Sequence, residues 1–581
     1  MGRARASSGP AWTTVVVILA IAAAYLPATL SGVGFVSDDF MILQRLRQAG
    51  GLEGALPFFS QSYYDYYRPL GFLSFAADWS LWGDWPAAYH AASLALHLVN
   101  TLLVLMFARR VVGPGASLIA AAIFGLHPAN SEAVYWASAR FDLLATALAL
   151  GALLALAAPG RPRVVSAALL YLAALLAKES VAAVPVAAVA YAWLVRRERP
   201  AALLRLCAWL GGAGVVYVVL RQASGLPPAG GASRLPKLVV LAALLLLQFT
   251  LAHPASESLR RRLLARRDAA AALAVLALAG AGALAAAWPP AAALRGAFTS
   301  LGFAAIHLVS PIPPDRWLTP LPWWLGPAGA AVALALVAAA RRFAAEPVPA
   351  FLAFFAAAAF VPVSSMTEGT RYLYLACVPL AIFAAWSLSA LVRHPTAASR
   401  ALAAVLVTAF AWQIAAKGQD WLWASRMTAR AVATIAGATG PGCRGAHVVL
   451  ATAPVRPRGV HANLNHEALA TLADCHPERF TTIVRTAYDT PLIEASLADD
   501  ALTLQIDRYV GGFVTSEDLQ RFAVYIDRSA PTRLTNPLGA FEALARGSSL
   551  AIRQSLAPGD AGRNAWFVFS GGELRHVVPG P

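Results

Sequence analysis

Residues 12–40 read WTTVVVILAIAAAYLPATLSGVGFVSDDF, a long apolar run that ends on two adjacent carboxylates, Asp38 and Asp39. About 20 apolar residues suffice for a helix to cross a bilayer. A carboxylate pair at the mouth of such a run is costly unless water or catalysis makes use of it. Comparable runs recur as far as residue 417, with spans expected at 12–31, 87–108, 116–128, 141–158, 163–178, 181–195 and 203–221. The series continues at 237–252, 270–288, 322–340, 348–364, 372–392 and 400–417. That makes about thirteen crossings. Composition agrees: the 581 residues are 59% hydrophobic and 13% charged, where a soluble protein carries roughly a quarter charged residues. The expected architecture is an all-α polytopic membrane domain over 1–417, followed by a soluble mixed α/β domain over 418–581.

The net charge of +16 does not form a basic face, so nucleic acid is not an expected partner. The arginines fall in short clusters between apolar runs. Arg3 and Arg5 precede the first span, which places the N-terminus in the cytoplasm. With alternating crossings, the same side receives Arg109-Arg110, Arg161/Arg163, Arg196-Arg197/Arg199, Arg260-Arg261-Arg262 with Arg266-Arg267, Arg341-Arg342, and Arg393 with Arg400. Alternation requires that 295–311, which runs into Ser310-Pro311-Ile312-Pro313-Pro314, be re-entrant or lie on the surface. The first span is expected to stay as an uncleaved anchor, since its apolar core is long and no clear small-x-small cleavage site precedes the aspartates. The tail from 418 is then extracytoplasmic. There, Cys443 and Cys475 either form a disulfide or are two unrelated buried thiols, while Cys207 and Cys377 sit in apolar runs.

On this topology the outer side collects loop 32–86, the turns around Glu132–Asp142 and Lys178-Glu179, and the segment Thr367-Glu368-Gly369-Thr370-Arg371. Loop 32–86 is rich in aromatics, among them Phe58, Phe59, Tyr63, Tyr64, Tyr66, Tyr67, Trp79, Trp82 and Trp85. Such rings favour the headgroup zone, so one or two interfacial helices are expected there. The Asp38-Asp39 pair reads as a proton acceptor for a hydroxyl or as a solvated acidic turn. Glu132, Trp136 and Arg140 recur at i, i+4, i+8 and would share one helical face, whether as an ion-pair network or as a binding surface. Lys178 and Arg371 stand as isolated cations. They suit a phosphate, or simply snorkel at the interface. His90, His97 and Asn100 form a stripe on the second span that interhelical hydrogen bonding explains as well as function does. His461, His466 and Glu467 match no zinc spacing.

Taken in order, these segments resemble one family. Asp38-Asp39, Tyr67-Arg68-Pro69-Leu70 through Asp78, Leu81-Trp82-Gly83 and Tyr89-His90 are similar to the opening of the GT-C membrane glycosyltransferases. The likeness is to the protein O-mannosyltransferase-like branch that carries tetratricopeptide tails. His127-Pro128, Glu132-Ala133-Val134, Trp136, Arg140-Phe141-Asp142, Ala177-Lys178-Glu179 and Arg371-Tyr372-Leu373-Tyr374 continue the match. It covers roughly residues 10–430. The resemblance implies a transferase that moves a sugar from a polyprenyl-phosphate donor to a hydroxyl of a protein or glycolipid at the outer membrane surface, with inversion. By likeness, Asp38 and Asp39 supply the general base, with Asp39 preferred. Lys178 and Arg371, with Arg140 as a third candidate, steady the departing lipid phosphate. Arg68, Glu132, Asp142, Glu179, Glu368 and Tyr374 complete the expected substrate site. The resemblance leaves a divalent cation (Mg or Mn) open, with Asp38 and Asp39 its ligands if one binds.

Two departures stand out. The branch usually has a basic residue where Phe141 stands. The tail shows no 34-residue helical repeat; it offers strand-like runs at His447–Ala451, Phe480–Val484, Phe522–Ile526 and Trp566–Phe569, with a turn at Ser570-Gly571-Gly572-Glu573. The expected location is the inner membrane of a bacterium, with the tail in the periplasm and membrane lipid as a partner. The rival functions are an O-antigen or polysaccharide ligase or polymerase using a diphosphate-linked donor, and a transporter or lipid flippase. A flippase would show internal repeats and polar groups near mid-membrane; here the charges gather at one surface and no half-to-half repeat is apparent.

Overall fold

The computed structural model describes residues 11–62, 66–158, 163–225, 290–309, 324–329, 331, 346–363, 369–393, 396–486, 492–507, 512–514, 524–525, 531–536, 538–546 and 549–580. The chain forms two compact units. One draws on Met1–Thr29, Ala49–Pro313 and Trp323–Lys417, the other on Leu30–Gln48, Pro314–Pro322 and Gly418–Pro581.

The helices of the first unit are α1 (Ala11–Leu30), then, after α2 of the second unit (Asp38–Ala49), α3 (Pro69–Trp82), α4 (Pro86–Val111), α5 (Pro114–Leu126), α6 (Ser131–Tyr135), α7 (Arg140–Leu156), α8 (Val164–Ala177), α9 (Val184–Ala190) and α10 (Pro200–Ala223). They continue with α11 (Pro290–Val309), α12 (Pro347–Phe360), α13 (Cys377–Arg393) and the start of α14 (Ala397–Thr439). Among the described residues, five helices are long and apolar enough to cross a membrane: Trp12–Leu30, Pro86–Val111, Ala137–Leu156, Pro200–Ala223 and Ala401–Thr439. Six further apolar helices are shorter, such as Pro114–Leu126. At 1.5 Å per residue that helix reaches only about 20 Å, less than the hydrocarbon thickness of about 30 Å. The expected spans 237–252 and 270–288, and most of 322–340, lie outside the described residues.

Small residues set the packing. Ala145, Ala149 and Ala152 of α7 and Ala167 and Ala174 of α8 are buried where these two helices meet, which lets the backbones approach closely. The α4 stripe ties its neighbours together. His97 shares hydrogen bonds with Tyr374 Oη (2.7 Å) and the Gly125 carbonyl (3.0 Å), and Asn100 donates to the Leu143 carbonyl at 2.9 Å.

The second unit holds α2, the rest of α14, α15 (His466–Ala473), α16 (Asp560–Arg563) and two sheets. One sheet runs β11 (Glu573–Val577), β10 (Asn564–Ser570), β1 (His447–Pro454), β2 (Arg479–Thr486), β5 (Gly512–Val514) and β6 (Val524–Tyr525), with β1 parallel to both β10 and β2. Strand β1 is buried along nearly its whole length, as a central parallel strand covered on both faces should be. The hairpin from β10 to β11 (Glu573–Val577) turns at Gly571 and Gly572, both at positive φ. The other sheet is antiparallel, ordered β3 (Ile493–Leu497), β4 (Ala501–Ile506), β9 (Ser549–Ser555), β8 (Gly539–Arg546) and β7 (Thr532–Asn536), and β9 alternates buried and exposed positions. Val449, Val484, Leu504, Phe541, Ile552 and Trp566 join both sheets in one core. Cys443 and Cys475 form a disulfide with Cα atoms 5.0 Å apart. Of the run Phe522–Ile526, only Val524–Tyr525 is described, as a strand.

The boundary expected at 417/418 differs in one respect. Residues 30–48, with the aspartate pair, cluster with the C-terminal residues rather than with the membrane helices. The cause is local: Asn465 and His461 hold Ser37 by hydrogen bonds.

Candidate functional site

The turn between α5 and α7 builds half of the site. Helix α5 stops at Leu126 because Pro128 forces the preceding His127 into extended backbone (φ −70°, ψ 121°). The chain then makes a short helix over Ser131–Tyr135, extends at Trp136 (φ −96°, ψ 117°) and coils tightly over Ala137–Ala139 before α7. Glu132, Trp136 and Arg140 therefore do not share one helical face, because the extended backbone at Trp136 breaks the period. Their side chains part company. Glu132 pairs with Arg371, whereas Arg140 pairs with Asp78 at 2.5 Å and donates to the Tyr89 carbonyl at 2.8 Å. Arg140 is buried and lies over the Phe75 ring at 4.9 Å. It clamps α3, α4 and α7 together.

Around Glu132 the arrangement is dense. Its Oε1 accepts from Arg371 Nη1 at 2.7 Å, and its Oε2 accepts from the Arg371 backbone N–H and the Thr370 hydroxyl, each at 3.2 Å. The Arg371 guanidinium lies over the Trp136 ring (4.4 Å) and the Tyr372 ring (4.3 Å), and Nη2 donates to Tyr372 Oη at 2.8 Å. Gly369 makes this close approach possible. Its φ is +97°, and a Cβ there would sit 2.5 Å from Arg371 Nη1 and 3.2 Å from Glu132 Oε1. Glu368 lies outside the described residues.

Lys178 follows the last turn of α8 in extended backbone (φ −164°, ψ 135°). Its Nζ contacts Asp142 Oδ2 at 2.5 Å and stands 5.1 Å from the Tyr372 ring, on which Arg371 also stacks. One ring thus lies beside both cations. Next along the chain, Glu179 receives a two-pronged contact from Arg68, Nε to Oε2 at 2.9 Å and Nη2 to Oε1 at 2.6 Å, the strongest guanidinium–carboxylate geometry. Arg68 also lies over Tyr66 at 4.2 Å and near Phe141 at 5.9 Å. Phe141, which replaces the expected basic residue, packs with Phe72 and Phe75. A Cβ on Gly71 would lie 2.5 Å from its ring.

Four segments that are far apart in sequence, around 68, 132–142, 178–179 and 371–372, therefore meet in the first unit. The expectation of isolated cations is corrected: Arg68, Lys178 and Arg371 each hold a carboxylate, since a bare charge would be costly in so buried a place. Glu179 is the most open member, with 37% of its side chain exposed. Tyr374 is not part of the group. Its hydroxyl is committed to His97 in the helix core.

The aspartate pair belongs to the second unit. Ser37 has a left-handed φ of +48°, and α2 starts directly after it. Asp39 is buried; its Oδ2 accepts the Val36 backbone N–H at 3.0 Å. Asp38 is half-buried and accepts from the Ser37 hydroxyl at 3.3 Å. Among the described residues, no group of three or more His, Cys, Asp or Glu could hold a metal. His461, His466 and Glu467 do not converge: His461 turns to Ser37, and His466 lies 3.4 Å from Glu467.

Sequence reasoning named Asp78 and Tyr372 only as parts of motifs, and it did not single out Ser37 or Asn465. Gly369 was quoted within its segment, and its small size was the available signal.

No family model matches the chain. It is 33% identical over 124 residues to the protein O-mannosyl-transferase Tmtc1 of Drosophila melanogaster, covering 19% of this chain and 14% of that protein. It is 34% identical over 88 residues to the protein O-mannosyl-transferase TMTC3 of Mus musculus, covering 15% and 10% respectively. The chain thus aligns with about a seventh or less of the length of these curated relatives. Among solved structures, the archaeal oligosaccharyltransferase AglB of Archaeoglobus fulgidus, in complex with an inhibitory peptide and a dolichol-phosphate, matches with a TM-score of 0.43 and 12% identity over 72% of this chain and 57% of that one. ArnT of Cupriavidus metallidurans, bound to undecaprenyl phosphate, matches with a TM-score of 0.37 and 16% identity over 80% and 86%. The curated relatives are named as O-mannosyl-transferases.

Proposed function

We propose that this protein is an integral-membrane glycosyltransferase that moves a sugar from a polyprenyl-phosphate donor to an acceptor hydroxyl of a protein or glycolipid at the outer membrane face. The observation that carries the proposal is the meeting of Arg68, Glu132, Asp142, Lys178, Glu179 and Arg371 around Tyr372 and Trp136. A merely apolar bundle has no use for three ion pairs gathered at the ends of its helices.

In this scheme the acceptor oxygen attacks the anomeric carbon while the carbon–oxygen bond to the phosphate breaks. The bonding pair leaves with the polyprenyl phosphate, and the acceptor proton passes to an aspartate. Asp38 is favoured as that base over Asp39, because it is the more exposed of the two and Asp39 is engaged by the Val36 N–H. Inversion follows from a single displacement. Lys178 and Arg371 answer the charge that grows on the departing phosphate. An ammonium has three donors, so Lys178 can keep Asp142 and still offer two N–H groups. Glu132 and Asp142 hold the two cations in place. No step is assigned to a divalent cation.

The test is turnover by purified protein in lipid, with a panel of polyprenyl-phosphate sugars and with Asp38→Asn and Asp39→Asn run alongside. Acceptor-dependent release of polyprenyl phosphate that collapses in Asp38→Asn while the fold persists is the expected result. Turnover confined to diphosphate-linked donors would move the assignment to a ligase or polymerase, and turnover indifferent to both aspartates would overturn it.

A further inference from the structure

Ser37 is the residue in an unusual conformation next to the proposed base. A serine at φ +48° pays a steric penalty that glycine would not, and such positions persist only where their surroundings over-determine them. Three contacts do so here. Ser37 Oγ lies 2.8 Å from His461 Nδ1, and its carbonyl accepts from Asn465 Nδ2 at 3.4 Å and from the Phe40 backbone N–H at 3.2 Å. Both side-chain partners come from the segment that leads into α15, more than four hundred residues along the chain.

The donor directions follow from the network. Asn465 Oδ1 caps α15 by accepting the Ala468 N–H at 3.0 Å, so its amide nitrogen is the end that faces Ser37. The single proton of the Ser37 hydroxyl goes to Asp38 Oδ1. With that assignment, His461 carries its proton on Nδ1 and gives it to Ser37 Oγ at 2.8 Å. A directed chain results: imidazole N–H to hydroxyl, hydroxyl O–H to carboxylate.

We infer that His461 is a positioning residue, which, through Ser37, fixes the direction in which Asp38 presents its carboxylate to the acceptor. His461 thereby acts on the chemistry without touching substrate. The inference rests on the proposed transferase function with Asp38 as base. His461 is the better probe than Asn465, whose loss would also uncap a helix.

The experiment compares wild type, His461→Ala, His461→Asn, Ser37→Ala and the double variant as full-length protein in lipid, with two readouts. One is steady-state transfer from whichever polyprenyl-phosphate sugar wild type turns over. The other is amide exchange at residues 36–40, which needs no donor. In His461→Ala, kcat falls on the order of 10- to 100-fold, the scale of a sub-ångström to one-ångström misplacement, while KM for the donor holds and exchange at 36–40 rises. Asn offers an N–H at about the reach of Nδ1, so His461→Asn restores most of kcat and the protection. The double variant is no worse than the more damaged single, as expected when one residue acts through the other. Unchanged exchange at 36–40 in His461→Ala, or raised exchange with undiminished kcat, overturns the inference. If wild type transfers from no donor in the panel, the functional proposal fails, and with it the catalytic part of the inference. The exchange data then still decide whether His461 holds the turn.

Discussion

Breaking and then replacing the Lys178–Asp142 pair separates a structural role from a chemical one. Both side chains are nearly closed off from solvent, 6% and 5% exposed, and their charged atoms are 2.5 Å apart. Deleting one partner of such a pair strands the other charge in a poorly solvated place, at a cost of about 3–5 kcal/mol. That corresponds to roughly a 10²- to 10⁴-fold loss in the folded-to-unfolded ratio. Lys178→Met and Asp142→Leu should each lower the thermal midpoint of the protein in lipid. The double variant, with two apolar groups of similar bulk, removes both charges and should recover most of the loss, because well-packed apolar replacements of buried pairs are often neutral or stabilising. Turnover should not recover with it, since the ammonium assigned to the leaving phosphate is gone. Recovery of both stability and activity would refute the catalytic role of Lys178. Single variants as stable as wild type would refute the premise that the pair is desolvated.

The remaining predictions are briefer. Gly369→Ala forces an L-residue to φ +97° and puts a methyl against Arg371 Nη1; it should cost about 1–3 kcal/mol and cut turnover, whereas equal activity at equal expression would contradict the described approach. Arg371→Lys keeps the charge but not the fork that serves Glu132 and Tyr372 while stacking on Trp136, so a loss of about 10²-fold in kcat is expected. Replacing Cys443 and Cys475 by serine opens a link across 32 residues and should destabilise the C-terminal unit by roughly 3–4 kcal/mol, read by pulse proteolysis of peptides from that unit. Burial, with Arg479 nearby, lowers the His447 pKa. The unfolded chain, titrating near about 6.5, then takes up the proton first, so stability present above that pH is lost as pH falls through it toward the folded value. The same proteolysis should show this acid sensitivity, and His447→Gln should flatten it.

Much of the fold could be read in advance because its signals are local. The Trp12–Leu30 run, the Arg109-Arg110 terminus of α4 and the buried strand at His447–Pro454 each carry their assignment within one window. The site was legible as a set of segments but not as a set of partners. Pairing Glu132 with Arg140 followed from helical spacing, and the spacing failed where Pro128 and the extended Trp136 interrupt the helix. The true partner, Arg371, lies 239 residues away, beyond anything a period can report. Ser37 was equally hidden, since a left-handed serine has no compositional mark and its partner, His461, lies 424 residues away in a group that matches no zinc spacing.

The paired state of the cations carries a consequence of its own. Arg68, Lys178 and Arg371 come already furnished with counter-ions, each a fixed carboxylate rather than a loosely held chloride. A phosphate arriving at bare cations would expel mobile anions, and added salt would oppose it. On the proposed reading, an incoming phosphate joins cations that keep Asp142, Glu179 and Glu132, so few mobile anions leave and the bulk ionic atmosphere has little part in it. Donor affinity should then depend only weakly on ionic strength, and the resident carboxylates, still beside the seated lipid phosphate, would repel it once the sugar has gone.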